Sequence, residues 1–202
     1  MPATENTPIA ERFDHILAVL SSQRFLKMDG LNNEVPFFIV PYAPAEENEA
    51  QRIRQQLLRK LSAKGVRVVD LDIYDLAIEL LQQRGLWDRL LTAEPSSTKD
   101  QLKELLQGVL DPQDHLIPAI AKRIADENYD ILFLSGVGQV FPYLRSHTIL
   151  NNLQSTAKSR PTVLFFPGAY KHSLLEGASL DLFECLHDDK YYRAFNIDNC
   201  EA

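Results

Sequence analysis

The chain has 202 residues, 45% of them apolar and 24% charged, with a formal net charge of −7. This is the composition of one ordinary globular domain, long enough to bury roughly two-thirds of its unfolded surface without metal or disulfide staples. It argues against a collagen-like or disordered chain, and the acidity argues against a protein coated all over by nucleic acid, though not against a local basic face. The two cysteines, Cys185 and Cys200, form no CxxC pair and suit a reducing compartment. No apolar run approaches the ~20 residues of a membrane span, and Met1–Asn6 lacks the basic and apolar regions of a signal peptide. The expectation is a cytoplasmic protein with no membrane contact.

The first predicted element is a helix over residues 8–20, where Ile9, Phe13, Ile16, Leu17 and Leu20 recur at spacings of three and four. A turn-rich stretch from Met28 to Asn33 follows. Phe37–Pro41 is a short continuous apolar run, the pattern of a strand buried on both faces, with Pro41 and Pro44 expected to stop it. Residues 46–63 predict a helix with Ala50, Ile53, Leu57 and Leu61 on one face. Its acidic start and basic end complement the helix dipole, and Gly65 provides a stop. A strand over Val66–Leu71 leads into a helix capped by Asp72 and ending near Gly85.

Residues 87–128 read as a charged helical insert. Thr98 with Gln101 fits a capping box, Asp111 and Pro112 fit a helix start, and Pro118 should start, kink or break a helix. A strand over Asp130–Ser135 then precedes the loop Gly136–Gly138 and a helix over residues 142–157. Thr162–Phe166 reads as a strand stopped by Pro167 and Gly168. Tyr191–Ile197 reads as a final strand at a sheet edge, followed by a loose tail over residues 198–202. Alternating strands and helices define an α/β fold. The expectation is a single three-layer domain over residues 1–202, Rossmann-like or P-loop-like without the P-loop. It has about five mostly parallel strands and helices on both faces.

Three strand ends, Val40–Pro44, Ser135–Gly138 and Pro167–Tyr170, should lie along the carboxyl edge of that sheet, where open α/β folds bind ligands. Gly136 and Gly138 permit close backbone approach. The loop carries neither the lysine and hydroxyl of a P-loop nor a third glycine, since Phe141 stands where the dinucleotide motif needs one. A tight turn is the simpler reading. On a helical wheel over the following helix, Arg145 and Asn152 fall on one flank of the buried stripe. His147, Asn151 and Gln154 fall on the other. The arrangement suits a polar shoulder touching a partner better than an acid–base pair.

From Ile131 to Leu175 there is no acidic residue, while Arg145, Lys158, Arg160, Lys171, His147 and His172 are all present. Part of this gap follows from strand burial. The remainder suits a face for a polyanion or an acidic partner. Ser135 is not in a nucleophile elbow, and Cys185 reads as a packed thiol. His187 beside Asp188 and Asp189 reads as solvated loop rather than a metal site. The residues thus predict no catalytic set, no metal and no cofactor. The candidate ligand or partner contacts are Ser135, Gly136, Gly138, Arg145, His147, Asn152, Lys171 and His172.

Four blocks carry a family likeness: FFIVPYAP over 37–44, LFLSGVGQVFPYLRSHTILNNL over 132–153, PTVLFFPGAY over 161–170 and YYRAFNI over 191–197. Together they resemble the BrxB family of BREX bacterial phage-defence systems, across most of the chain and most strongly in its final third. The resemblance implies a small non-enzymatic component of a system that marks host DNA by methylation and blocks phage replication. It also implies partners: a PglZ-like protein of the alkaline-phosphatase superfamily and, directly or through it, a PglX-like adenine methyltransferase, with DNA reached through the complex. Arg145, His147, Asn151, Asn152, Pro167 and Gly168 match its recurring blocks, with no role assigned to them. The leading expectation is an assembly or adaptor subunit. The alternatives are a nucleotide- or anion-binding regulator using Gly136–Gly138, and a DNA-binding module using the tract from Lys158 to Lys171.

Overall fold

The computed structural model describes residues 7–30, 36–125, 127–173, 177–186 and 194–202. Its helices are α1 (Phe13–Ser21), α2 (Gln23–Leu26), α3 (Glu47–Ala63), α4 (Ile73–Gln83), α5 (Trp87–Ala93), α6 (Lys99–Val109), α7 (Ile117–Ala125) and α8 (Ser146–Leu153). The strands are β1 (Phe37–Tyr42), β2 (Val68–Asp72), β3 (Ile131–Ser135), β4 (Thr162–Ser173), β5 (Gly177–Leu182) and β6 (Phe195–Asn196). They form one sheet in the order β2-β3-β4-β1-β6, all parallel, and β5 pairs antiparallel with the far half of β4. The mostly parallel α/β domain is therefore present, with six strands where about five were expected.

Strand periodicity sorts the core into two layers. Phe37 and Ile39 of β1, Leu132 and Leu134 of β3, and Leu164 and Phe166 of β4 face one side. They pack there with α4, α7, α8 and Leu106 of α6. The alternate residues Phe38, Val40, Ile131, Phe133, Val163 and Phe165 face the other side, against α1 and α3. The buried stripe of α3 is Ala50, Ile53, Leu57 and Leu61, as its spacing predicts. The caps also form. Asp72 accepts from Tyr74 N and Asp75 N, Thr98 and Gln101 close a capping box, and Asp111 caps the turn at Pro112. Pro118 is the second residue of α7, directly after the π-helical turn Pro112–Leu116, so it lies where the hydrogen-bond pattern changes and does not break the helix.

Four segments differ from the expectation, each for a local reason. Strand β1 runs through Pro41 to Tyr42. The Pro41 carbonyl accepts from Arg12, on the side away from β4, so the missing N–H costs no bond to β4. Strand β4 does not stop at Pro167 and Gly168 but continues to Ser173, with a bulge where Tyr42 meets both residues. Gly168 has a φ of 156°, and a Cβ there would lie 2.2 Å from the Asp181 carbonyl, so only glycine lets β5 lie alongside. The helix expected over 142–157 is shorter. Pro142 disfavours a helical Phe141, turns anchored by buried Val140 and Leu144 follow, and α8 begins only at Ser146. The tail is not loose at its start: Ile197–Asn199 forms a turn, and both Ile197 and Asp198 are buried. Of the expected final strand, Phe195–Asn196 forms the edge strand β6, and residues 191–193 lie outside the described residues.

Candidate functional site

Parallel pairing sets Ser135 of β3 beside Asp72 of β2, at the carboxyl edge. The Ser135 hydroxyl donates to Asp72 Oδ2 at 3.0 Å, while Asp72 Oδ1 accepts from Tyr74 N at 2.9 Å and Asp75 N at 3.3 Å. Gly136 follows with a φ of 76°, and a Cβ on it would stand 2.2 Å from Asp72 Oδ1. A Cβ on Gly138 would meet Pro167 at 2.9 Å and the Phe183 ring at 3.1 Å. The glycine loop is therefore wrapped around the protein's own carboxylate and covered by its own ring. Its glycines serve close packing, and no hollow for a phosphate opens where the sequence pattern drew attention.

The helix-shoulder reading is corrected by burial at His147 and by the start of α8 at Ser146, which leaves Arg145 outside the helix. His147 is buried, with Nε2 3.0 Å from the Thr148 hydroxyl, so it faces the interior rather than a flank. Asn152 donates to the Thr148 carbonyl at 2.7 Å and is half-buried. Arg145 precedes the helix, in extended backbone at the N-cap, and is exposed. Lys171 pairs at 2.8 Å with Asp181, a buried acid of β5 just beyond the acid-free tract. Lys158 and Arg160 are exposed before β4 begins, whereas Lys171 lies nine residues into it, roughly 30 Å away along the strand. The positive tract is thus split between opposite ends of a strand and does not make one face. The side chain of His172 and the segment from His187 to Asp189 lie outside the described residues.

What the sequence did not single out lies to either side of the sealed loop. On one side is a cleft of about 400 Å³ between the ends of β1, β4 and β6. The Arg12–Asp198 ion pair lines it at 2.5 Å, with side chains only 5% and 7% exposed. Arg12 Nε and Asp198 Oδ1 are buried there without a hydrogen-bond partner among the described residues. Nearby, Tyr42 donates to Glu47 at 2.7 Å, and burial first, then that carboxylate, push the phenol well above its usual range. Nothing local in the sequence marks Arg12, because its partner is 186 residues away.

On the other side is a pocket of about 210 Å³ lined by Phe141, Arg145, Ser146, Phe166, Leu180, Leu182, Cys185 and Leu186. Cys185 is exposed rather than packed as expected. Cys200 is half-buried, its thiol pushed up to about 11 by burial and by Asp198. Among the described residues no three His, Cys, Asp or Glu side chains group as a metal site, and no helix is long and apolar enough to cross a membrane.

Fold and site together define an open three-layer α/β domain whose central loop is self-filled and whose carboxyl edge opens only beside it. Comparison with known proteins narrows that class. The family model described as BREX protein BrxB matches residues 69–197. A BREX protein BrxB of Bacillus cereus (strain H3081.97) is 35% identical over 195 residues, which cover 94% of this chain and 97% of the relative. Another BREX protein BrxB, of Escherichia coli O9:H4 (strain HS), is 30% identical over 191 residues, covering 94% and 92%. No solved structure matches. The chain belongs to the BrxB family.

Proposed function

We propose that this chain is a non-catalytic assembly component of a BREX phage-defence complex, holding a PglZ-like protein and through it a PglX-like DNA methyltransferase. Family membership supports the BREX and phage-defence part of this reading. The observation that favours assembly over chemistry is the self-filled loop. Open α/β enzymes present substrate at the carboxyl ends of their strands. Here Asp72, Pro167 and Phe183 occupy the space around Gly136 and Gly138. Affinity capture of the full chain from its native host, with mass spectrometry, tests the reading. A PglZ-like protein is expected in stoichiometric amount, and the purified chain is expected to show no hydrolase or transferase activity. Absence of a PglZ-like protein from the captured material would reject the reading.

A small-ligand regulator is the second reading, and it moves from the glycine loop to the cleft beside Arg12. The volume of about 400 Å³ falls in the range of small-molecule sites. The cations there are already engaged, Arg12 with Asp198 and Lys171 with Asp181, while Glu46 and Glu184 also line the cleft. That balance disfavours a polyphosphate. Calorimetry with a nucleotide panel at physiological salt is expected to show no heat. A clear binding isotherm would instead favour the regulator.

A further inference from the structure

We infer that the pocket beside Arg145 is a docking surface for an acidic segment of a partner protein, which inserts one apolar side chain and pairs a flanking carboxylate with Arg145. The inference rests on the assembly reading and says where and with what chemistry the partner is met. A volume of about 210 Å³ is below the range of roughly 300–1,000 Å³ typical of small-molecule sites, so it suits a side chain better than a cofactor. Phe141, Phe166, Leu180, Leu182 and Leu186 give it an apolar side, and none of the described residues that line it is acidic.

Arg145 stands at this apolar wall, exposed, with no hydrogen-bond or ion-pair partner for its side chain among the described residues. A planar guanidinium beside an apolar hollow is the arrangement that takes a carboxylate in a bidentate pair while an adjacent side chain is buried. The N-terminus of α8 lies next to it and adds a favourable field for negative charge. Ser146, at that terminus, is 7% exposed, and its hydroxyl is buried without a partner among the described residues.

The neighbouring surface is also of the docking kind. Leu186 is 37% exposed on the pocket wall, and Phe183, which covers Gly138, is exposed to the same degree. Interfaces concentrate their energy in a few such aromatic and arginine anchors. The other large apolar exposures among the described residues, Tyr74 on α4, Leu91 on α5 and Leu105 on α6, do not line the pocket.

The test uses the full chain and the purified PglZ-like protein of the same BREX locus, with affinity measured at physiological salt. Arg145→Glu is expected to weaken binding at least about tenfold, Arg145→Lys less, and Leu105→Asp not at all. Arg145 is exposed, so the melting temperature of its variants should equal that of the parent chain. Cys185 supplies an independent readout, because its exposed thiol lines the pocket: complex formation is expected to slow its alkylation at least about fivefold. Parent affinity in Arg145→Glu, or unslowed alkylation of Cys185 in the complex, would overturn the inference while leaving the assembly reading intact. Failure of the parent chain to bind would remove both.

Discussion

Gly136 shows how a single residue decides what the carboxyl edge becomes. Its positive φ and its closeness to Asp72 let one carboxylate serve the helix cap, the Ser135 hydroxyl and the loop at once. Gly136→Ala should therefore cost roughly 1–3 kcal/mol from the backbone alone, with Asp72 displaced in addition. Urea denaturation reads this directly. The Arg12–Asp198 pair makes a second prediction. Arg12→Met leaves a buried carboxylate alone and should destabilise by about 3–5 kcal/mol, whereas Arg12→Met with Asp198→Leu should recover much of that loss.

A third prediction concerns pH. Asp130 accepts from Arg67 N, Nε and Nη2 at 2.9, 3.0 and 2.8 Å, and these bonds hold it below the usual carboxylate range. The native state thus prefers its ionised form more than the unfolded chain does. Its contribution is full above the ordinary carboxylate pKa and is lost as pH falls through the depressed native value. Asp70 has the opposite sign, since burial raises it against the pull of Arg54; its term weakens stability as pH rises through the raised value. Arg67→Ala should flatten the acid limb of the stability curve below about pH 4, as read by urea denaturation at a series of pH values.

Among the elements, β4 behaves as two strands in one. Its first half pairs in parallel with β1 and β3, and its second half carries β5. Gly168→Ala should push a methyl into the Asp181 carbonyl and loosen β5 without unravelling the central ladder. Hydrogen exchange is expected to lose protection in β5 and keep it in β1 and β3. This is also where the sequence was hardest to read. Pro167 and Gly168 are stop signals by local chemistry, and their use as a bulge depends on Tyr42 and Asp181, which are distant in sequence. By contrast α3, the Asp72 cap and the Thr98–Gln101 box were legible because their partners lie within one or two helical turns. His147 was misread because a wheel shows only the helix's own apolar stripe, and the cover over its flank comes from tertiary packing on α8. The candidate site was half legible: the edge and Arg145 were named, but not the pocket, whose other wall is the unforeseen β5 with residues 185–186.

At the scale of the whole molecule, two apolar cores share one sheet, so the sheet and its two helical layers should unfold together. One helix is the exception. Helix α5 has no fully buried residue, and it carries Trp87, the single tryptophan. Tryptophan fluorescence should therefore change at lower urea than far-UV circular dichroism, and coincident transitions would show α5 to be part of the main cooperative unit. The same contrast bears on assembly. The sheet and α8 carry the Arg145 pocket, and the insert offers Leu91 and Leu105 on its exposed side.

The union of α1 with the turn at Ile197–Asn199 has a kinetic consequence. Arg12 meets Asp198 across 186 residues, and His15 reaches the Ile197 carbonyl over 182. Contacts of such separation repay the entropy of loop closure only after the intervening chain is compact, and they lengthen folding times. Helix α1 also packs on α3, at much shorter separation, so the seam with Ile197–Asn199 is the contact of α1 with the greater cost of loop closure.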